Sequence, residues 1–323
     1  MSGEFVRIYH ATDVHGSEQV WRKWLNVPKV HKANILLFCG DLTGKSIVPI
    51  IEQPDGTYTC SIFGKKYVLK SKEEVKEMED KIRFSGYYPY VTTKDEVEEL
   101  KANPKRVDQL FEKLMCETME RWLQMIVDLI PKDVTCVVMP GNDDEFFIDP
   151  VIQKFDKEYE NIIYPLGKVV NLCYDYEMIS YEWVNPTPWN SPREKNEKGI
   201  SKDLEKLWNK VNVDPEKVIL NFHCPPFGTR LDLAPKLDKN LRPVYVLGEQ
   251  QREHVGSRAV RKFIEKYQPL LGLHGHIHES YASEKIGRTL CVNPGSEYTE
   301  GILRGFIIDL DRNGILRWWK VEG

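Results

Sequence analysis

Asp13-Val14-His15 sets a hard carboxylate oxygen and a borderline imidazole nitrogen two residues apart, where one turn can aim both at a single cation. Gly40-Asp41 adds a second carboxylate behind a glycine that lets the backbone come close, so that one side chain can serve two cations. Gly141-Asn142 contributes a neutral amide oxygen, which ligates without building up excess charge. His223 is a single imidazole, and His276-Ile277-His278 carries two that face different ions when the segment is extended. Asp13, His15, Asp41, Asn142, His223, His276 and His278 therefore form an oxygen and nitrogen donor set without thiolate. Such a set suits Mn, Fe, Co, Ni or Zn in an open catalytic site rather than a closed structural zinc site. It is large enough for two divalent ions about 3.5–4 Å apart that share Asp41 and a hydroxide.

Each of these groups ends a short apolar run: Val6–Thr12, Ile35–Cys39, Val134–Met139, Val218–Phe222 and Leu270–Leu273. Runs of this length, separated by helical stretches, predict an α/β layered fold, in which ligands gather beyond the carboxyl ends of the strands. Apolar spacings of three and four predict helices at Ser17–Leu25, Val107–Ile130, Asp149–Glu158, Ser201–Val211 and Ser257–Tyr267. Towards the C-terminus, Ser280–Glu284, Thr289–Asn293, Arg304–Asp309 and Ile315–Val321 read as antiparallel strands, the last two joined by Asp311-Arg312-Asn313-Gly314. They predict a second sheet packed on the first. The chain reads as a single domain, 1–323, with an inserted segment at about 45–106. That segment holds a strand pattern around Thr57–Leu69, a helix at Ser71–Lys81 and the aromatic stretch Gly86–Tyr90. A structureless loop of that length would be unusual. The segment reads as a cap over the site or, equally, as a decoration or oligomer contact.

Composition narrows the function. With 45 Lys and Arg against 49 Asp and Glu, the net charge of −4 argues against sequence-independent binding to nucleic acid and favours a small substrate. No run approaches the ~18 apolar residues of a membrane helix. The opening residues lack a secretory pattern, so a cytoplasmic protein is expected. Seven scattered cysteines predict buried free thiols rather than a disulfide framework. A homo-oligomer is left open.

The order Asp-x-His, Gly-Asp, Gly-Asn, His, Gly-His-x-His, matched from Asp13 to His278, resembles the calcineurin-like metallophosphoesterase superfamily. His223-Cys224-Pro225-Pro226, His254-Val255-Gly256-Ser257 and Asn293-Pro294-Gly295-Ser296 are similar to its small prokaryotic phosphodiesterase branch. The resemblance implies a four-layer αββα sandwich of two mixed sheets flanked by helices. It also implies two divalent cations, one held by Asp13, His15 and His278, the other by Asn142, His223 and His276, with Asp41 bridging. The implied activity is phosphoester hydrolysis, with a phosphodiester as substrate and a bridging hydroxide as nucleophile. Asp41, Asn142 and His223 are then catalytic as well as ligating, and manganese is one candidate metal. A nuclease, or a scaffold of the same fold without activity, is the alternative.

One departure matters. Many members carry histidine after the Gly-Asn pair, where it assists the leaving group, whereas this chain reads Gly141-Asn142-Asp143-Asp144. Nearby cations would keep Asp143 ionised, so the enzyme is expected to prefer good leaving groups, to recruit His254, or to let a metal stabilise the leaving oxygen. Gly256-Ser257 opens a helix whose N–H groups either hold a phosphate oxygen or are simply capped by Ser257. Arg258 and Arg261 either reach the substrate or line a solvated face. His10 reads as a core residue, His31 as surface, and His274 as a support for a ligand or a substrate contact. Asn293–Ser296 reads as a wall of the site.

Overall fold

Short β-branched and aliphatic runs form strands here because each is apolar on both faces and must be covered on both. The computed structural model describes residues 5–323, and it satisfies that demand with two sheets packed face to face between helices. The first sheet has the order Gly314–Glu322, Arg304–Asp311, Val6–Ala11, Ile35–Cys39, Thr135–Met139, Ile162–Ile163. Its last four strands are parallel, and Val6–Ala11 pairs antiparallel with Arg304–Asp311. The second sheet has the order Ala282–Ile286, Thr289–Asn293, Leu271–Leu273, Val218–Phe222, Tyr176–Tyr181, Val169–Cys173, with a parallel centre and antiparallel edges.

The inner core is the contact between the sheets. Ile8, Ile35, Leu37, Val137, Phe306 and Ile308 come from one face, and Met178, Ile219, Leu271, Leu273 and Val292 from the other. The outer face of the first sheet is covered by helices Glu18–Leu25, Pro104–Leu129 and Asp149–Glu158, with Trp21 stacked on Trp122 at 4.7 Å and on Phe38 at 5.5 Å. Helices Glu197–Trp208 and Arg258–Tyr267 cover the second through Ile200, Leu204, Val260, Phe263 and Ile264. This is the four-layer αββα sandwich expected of the sequence. Four of the five predicted helices begin or end within about three residues of the predicted bounds, and the fifth starts four residues earlier than expected, at Glu197, because Asn196 caps it through Gly199 N–H at 2.9 Å.

The C-terminal strands correct the expectation of a separate second sheet. Ala282–Ile286 and Thr289–Asn293 do join the second sheet, but Arg304–Asp311 and Gly314–Glu322 return to the first, beside Val6–Ala11. Both pairs are hairpins, and local pattern cannot tell which sheet a hairpin will extend. The seven cysteines are free thiols, five buried and two half-buried. Among the described residues, no helix is long and apolar enough to cross a membrane.

Residues 47–93 fold as a unit. Their sheet has the order Lys65–Leu69, Tyr58–Ile62, Ile47–Glu52, Tyr88–Thr93, and helix Lys72–Phe84 packs on it around Val48, Ile50, Ile62, Met78 and Ile82. The predicted strand at Thr57–Leu69 is a hairpin that turns at Phe63-Gly64, and Pro104 already belongs to the long helix. Two bonds tie the unit to the loops that follow the first two strands: the Gly44 N–H donates to the Tyr88 hydroxyl (2.9 Å), and the Ser17 hydroxyl donates to the Phe84 carbonyl (2.9 Å).

Because Trp122 ties the long helix to Trp21, which stacks on Phe38 of the first sheet, and is 1 % exposed, Trp122→Ala should cost about 3–5 kcal/mol of stability. Chemical denaturation monitored by circular dichroism measures it.

Candidate metal centre

The five apolar runs end on the same edge of the sandwich, and the chain turns sharply at each end. Asp13 (φ 56°), His15 (42°), Asp41 (53°) and His276 (69°) all adopt left-handed backbone. For residues with a Cβ this costs roughly 1–3 kcal/mol each and persists only where the surroundings enforce it. Here the enforcement is a ladder between loops: Asp13 N–H donates to Gly40 O (3.0 Å), His15 N–H to Asp41 O (2.9 Å) and Gly16 N–H to Leu42 O (2.9 Å). Gly275 N–H to His223 O (2.9 Å) links two loops of the second sheet in the same way, and His276 N–H to Asp13 Oδ2 (3.0 Å) joins the two sheets.

Seven side chains predicted from widely spaced motifs come together at this edge. Donor atoms of Asp13, His15 and His278 lie within 4.8 Å of one another, and so do those of Asp41, His223 and His276. His15 Nε2 is 3.1 Å from His278 Nε2, and Asp13 Oδ1 is 3.4 Å from His278 Nε2. Asp41 Oδ2 stands between the groups, 3.7 Å from His15 Nε2 and 3.4 Å from His223 Nε2. Asn142 Oδ1 lies 3.0 Å from His223 Nε2. His223 Nδ1 sits 2.5 Å from the Cys39 carbonyl, to which it donates its proton, leaving Nε2 free to face the cluster.

Burial makes this cluster electrostatically demanding. It pushes the Asp41 carboxyl up to about 7, the neighbouring Asp143 charge adding to what burial does while His223 opposes it. The Asp13 carboxyl falls far below the usual range, because the His278, His223 and His15 imidazoles outweigh its burial. Burial works against a charged His223, yet the Asp41 carboxylate holds that imidazole well above its ordinary value. His276 is lowered to about 3 by burial and by the His223 charge, and His15 is also lowered, by burial first. Two buried atoms, Asp13 Oδ1 and His15 Nδ1, have no hydrogen-bond partner. Converging lone pairs without donors are what hard or borderline divalent cations require, so the residues present fit such ions, and cations would replace the protons held by His223 and Asp41.

The two acids after Asn142 divide their work. Asp144 is fully buried and accepts the N–H groups of Leu42 (2.9 Å), Thr43 (2.9 Å) and Gly141 (2.8 Å), tying the Asp41 loop to the Asn142 loop. Asp143 donates its N–H to Asp41 Oδ1 (2.9 Å) and turns its carboxylate towards the Lys45 ammonium. Asn142 is oriented by its NH2 group, which donates to the Ser191 hydroxyl (2.8 Å). Ser296 donates to the Asp13 carbonyl (2.7 Å), and the Asn293 amide holds the Leu231, Gly275 and Ile277 carbonyls, so Asn293–Ser296 supports the ligand loops from behind. The Tyr298 ring packs against His15 and His278, at 4.8 and 5.8 Å between centroids.

Other sequence candidates lie elsewhere. His254 Nδ1 pairs with the buried Asp232 carboxylate (2.8 Å) and its ring packs near Phe227, outside the seven-residue group. The helix start at Ser257 is not a phosphate seat: Glu197 already accepts from Ser257 Oγ (2.7 Å), Arg258 N–H (2.9 Å) and Ala259 N–H (2.7 Å). Arg261 pairs with Glu265 and Arg258 lies over the Phe227 ring. His10 and His274 are buried beneath the cluster, lowered by burial to about 4 and about 3, and bonded to backbone carbonyls. Lys45, Asp144, Ser191 and Tyr298 were not singled out by sequence. A second acid in Gly141–Asp144 was a visible signal for Asp144; the other three lie on segments without a motif.

A Cβ at Gly141 would run into the Asp41 carboxylate and lie 2.9 Å from His223 Nε2, so Gly141→Ala should weaken manganese binding at least about tenfold, read by calorimetric titration. Cation binding must expel protons from His223 and Asp41, both raised by their surroundings. Affinity is therefore lower below pH 7 and rises as pH passes about 7, which titrations at pH 6 and pH 8 compare.

The calcineurin-like phosphoesterase family profile matches residues 96–280, which includes Asn142, His223, His276 and His278. An uncharacterized protein of Methanocaldococcus jannaschii is 31% identical over 189 residues, 56% of this chain and 73% of the relative. One crystal structure superposes with a TM-score of 0.60 over 98% of this chain and 99% of its own, at 18% identity. That of TT1561 of Thermus thermophilus does so with a TM-score of 0.54 over 99% of each chain, at 12% identity. At such identities the two structures speak to the fold alone. The profile covers more than half of the chain, and this chain belongs to the calcineurin-like phosphoesterase family.

Proposed function

We propose that the protein hydrolyses small phosphoesters, with a phosphodiester as preferred substrate, using two divalent cations. One is assigned to Asp13, His15 and His278, the other to Asn142, His223 and His276, with Asp41 shared. The observation that carries this reading is the meeting of two three-residue donor groups at the Asp41 carboxylate, with Asp13 Oδ1 left without a donor. When bound, such cations supply Lewis acidity towards the phosphoryl group and a water of lowered pKa.

The chain's own residues do the rest. Cys39 O fixes the His223 tautomer and Ser191 fixes the Asn142 amide, so both donors are aimed before substrate arrives. Asp143 accepts from Lys45 and gives its N–H to Asp41, which leaves it an acceptor rather than a proton donor. With no histidine at that position, the site favours esters whose leaving alcohol needs little protonation, such as aryl diesters. Mixed oxygen and nitrogen donors suit Mn, Fe, Ni, Co or Zn, and the net charge of −4 supports a small substrate over nucleic acid.

The test is hydrolysis of an aryl phosphodiester with manganese added. Asp41→Ala and His223→Ala should each retain native circular dichroism and fall below about one hundredth of the parent rate. Full activity in either variant, or in chelator-treated protein, refutes the proposal.

A further inference from the structure

Lys45 opens the inserted segment, and its backbone is clamped on both sides, with Ser46 O accepting from Tyr88 N–H at 2.9 Å beyond it and three bonds before it. Gly44 N–H donates to the Tyr88 hydroxyl at 2.9 Å, and Leu42 and Thr43 donate to buried Asp144. A Cβ at Gly44 would meet the Gly86 carbonyl, so this turn can approach the insertion only as glycine. From that fixed point the Lys45 side chain crosses to Asp143, the residue next to Asn142. Asp143 Oδ2 is also 4.0 Å from His15 Nδ1, which places the ammonium beside the ligand cluster. Its charge bears on Asp41, His15, His276 and Tyr298.

The Lys45 side chain is 57% exposed while Asp143 is 16% exposed, so solvent reaches the lysine side chain more than its partner. Asp143 is its hydrogen-bond partner among the described residues, and an ammonium has three N–H groups to give. The carboxylate therefore holds the cation in place without using it up. A lysine in this situation acts as a fixed point charge for an anion.

We propose that Lys45 is a substrate-binding residue whose ammonium takes a non-bridging phosphoryl oxygen of the ester. This rests on the phosphoesterase reading of the same site. The segment that Lys45 opens thereby contributes a positive charge to the cluster, beside Asp143.

Calorimetric binding of inorganic phosphate to the manganese-loaded full chain tests it without turnover. Lys45→Met should keep the parent's manganese content and weaken phosphate about tenfold or more, the loss expected for one charge-assisted bond. Lys45→Arg should stay within a few-fold of the parent. With an aryl diester, Lys45→Met should raise KM more than it lowers kcat, as for an interaction made in ground and transition states alike. Phosphate binding by Lys45→Met as tight as the parent's overturns the proposal, and so does a loaded parent that does not bind phosphate. A parent that binds manganese and phosphate but hydrolyses no ester sinks the hydrolytic reading alone.

Discussion

Two buried carboxylates, Asp13 and Asp41, both stand close to His223 Nε2, at 3.9 and 3.4 Å, and much of the surrounding architecture follows from that. An unpaired charge in the interior is costly, so buried carboxylates need opposite charge or donors around them. Four imidazoles and one amide converge on the pair, drawn from both sheets. The left-handed turns at Asp13, His15, Asp41 and His276 let successive side chains point into one space, and the strain is held by hydrogen bonds between neighbouring loops. Gly141 keeps the space open, since a methyl group there would strike Asp41.

The sandwich supplies the rigidity that this convergence needs. Strands Val6–Ala11, Ile35–Cys39 and Thr135–Met139 are parallel neighbours, so their carboxyl ends deliver Asp13, Asp41 and Asn142 side by side. Val218–Phe222 and Leu271–Leu273 do the same for His223 and His276 in the second sheet. The inter-sheet core of Ile8, Leu37, Val137, Ile219 and Leu273 then fixes the distance between the two deliveries. Beneath the cluster, Asp144 and Asn293 bind backbone from different loops, so the turns are tied to one another rather than standing independently.

The absence of histidine after Asn142 changes the chemistry of that corner. Asp143 has become the anchor of an ammonium, and the ammonium comes from the segment inserted after Asp41. Asp143 and the segment that opens at Lys45 are thus linked in space. Tyr88 and Gly86 of the same insertion brace the turn that carries Lys45, which gives this extra unit a structural reason to sit beside the centre.

The cluster was legible in the sequence because donor type and strand endings are local properties: an apolar run that stops at Asp, Asn or His announces a strand and a donor atom at its end. Helices such as Asp149–Glu158 were legible for the same reason, through periodic apolar spacing. What sequence alone did not decide was pairing. The hairpin Arg304–Glu322 extends the first sheet and the hairpin Ala282–Asn293 the second, although their patterns are alike, because the choice depends on which open strand edge each meets. Strands Tyr176–Tyr181 and Ile47–Glu52 escape sequence reading because Glu177 and Ser180 in one, and Pro49 in the other, blur the apolar run. Lys45, Ser191 and Tyr298 reach the site from segments that are remote in sequence and lack ligand chemistry of their own, so only the tertiary structure brings them there. Ser257 shows the converse: its local pattern allowed a phosphate seat, and a carboxylate from another helix, Glu197, occupies it. Residue types and spacing determined which atoms could bind a cation; the meeting of two sheets decided which of them share a site and what stands beside it, because contact between distant segments is set by packing and not by local propensity.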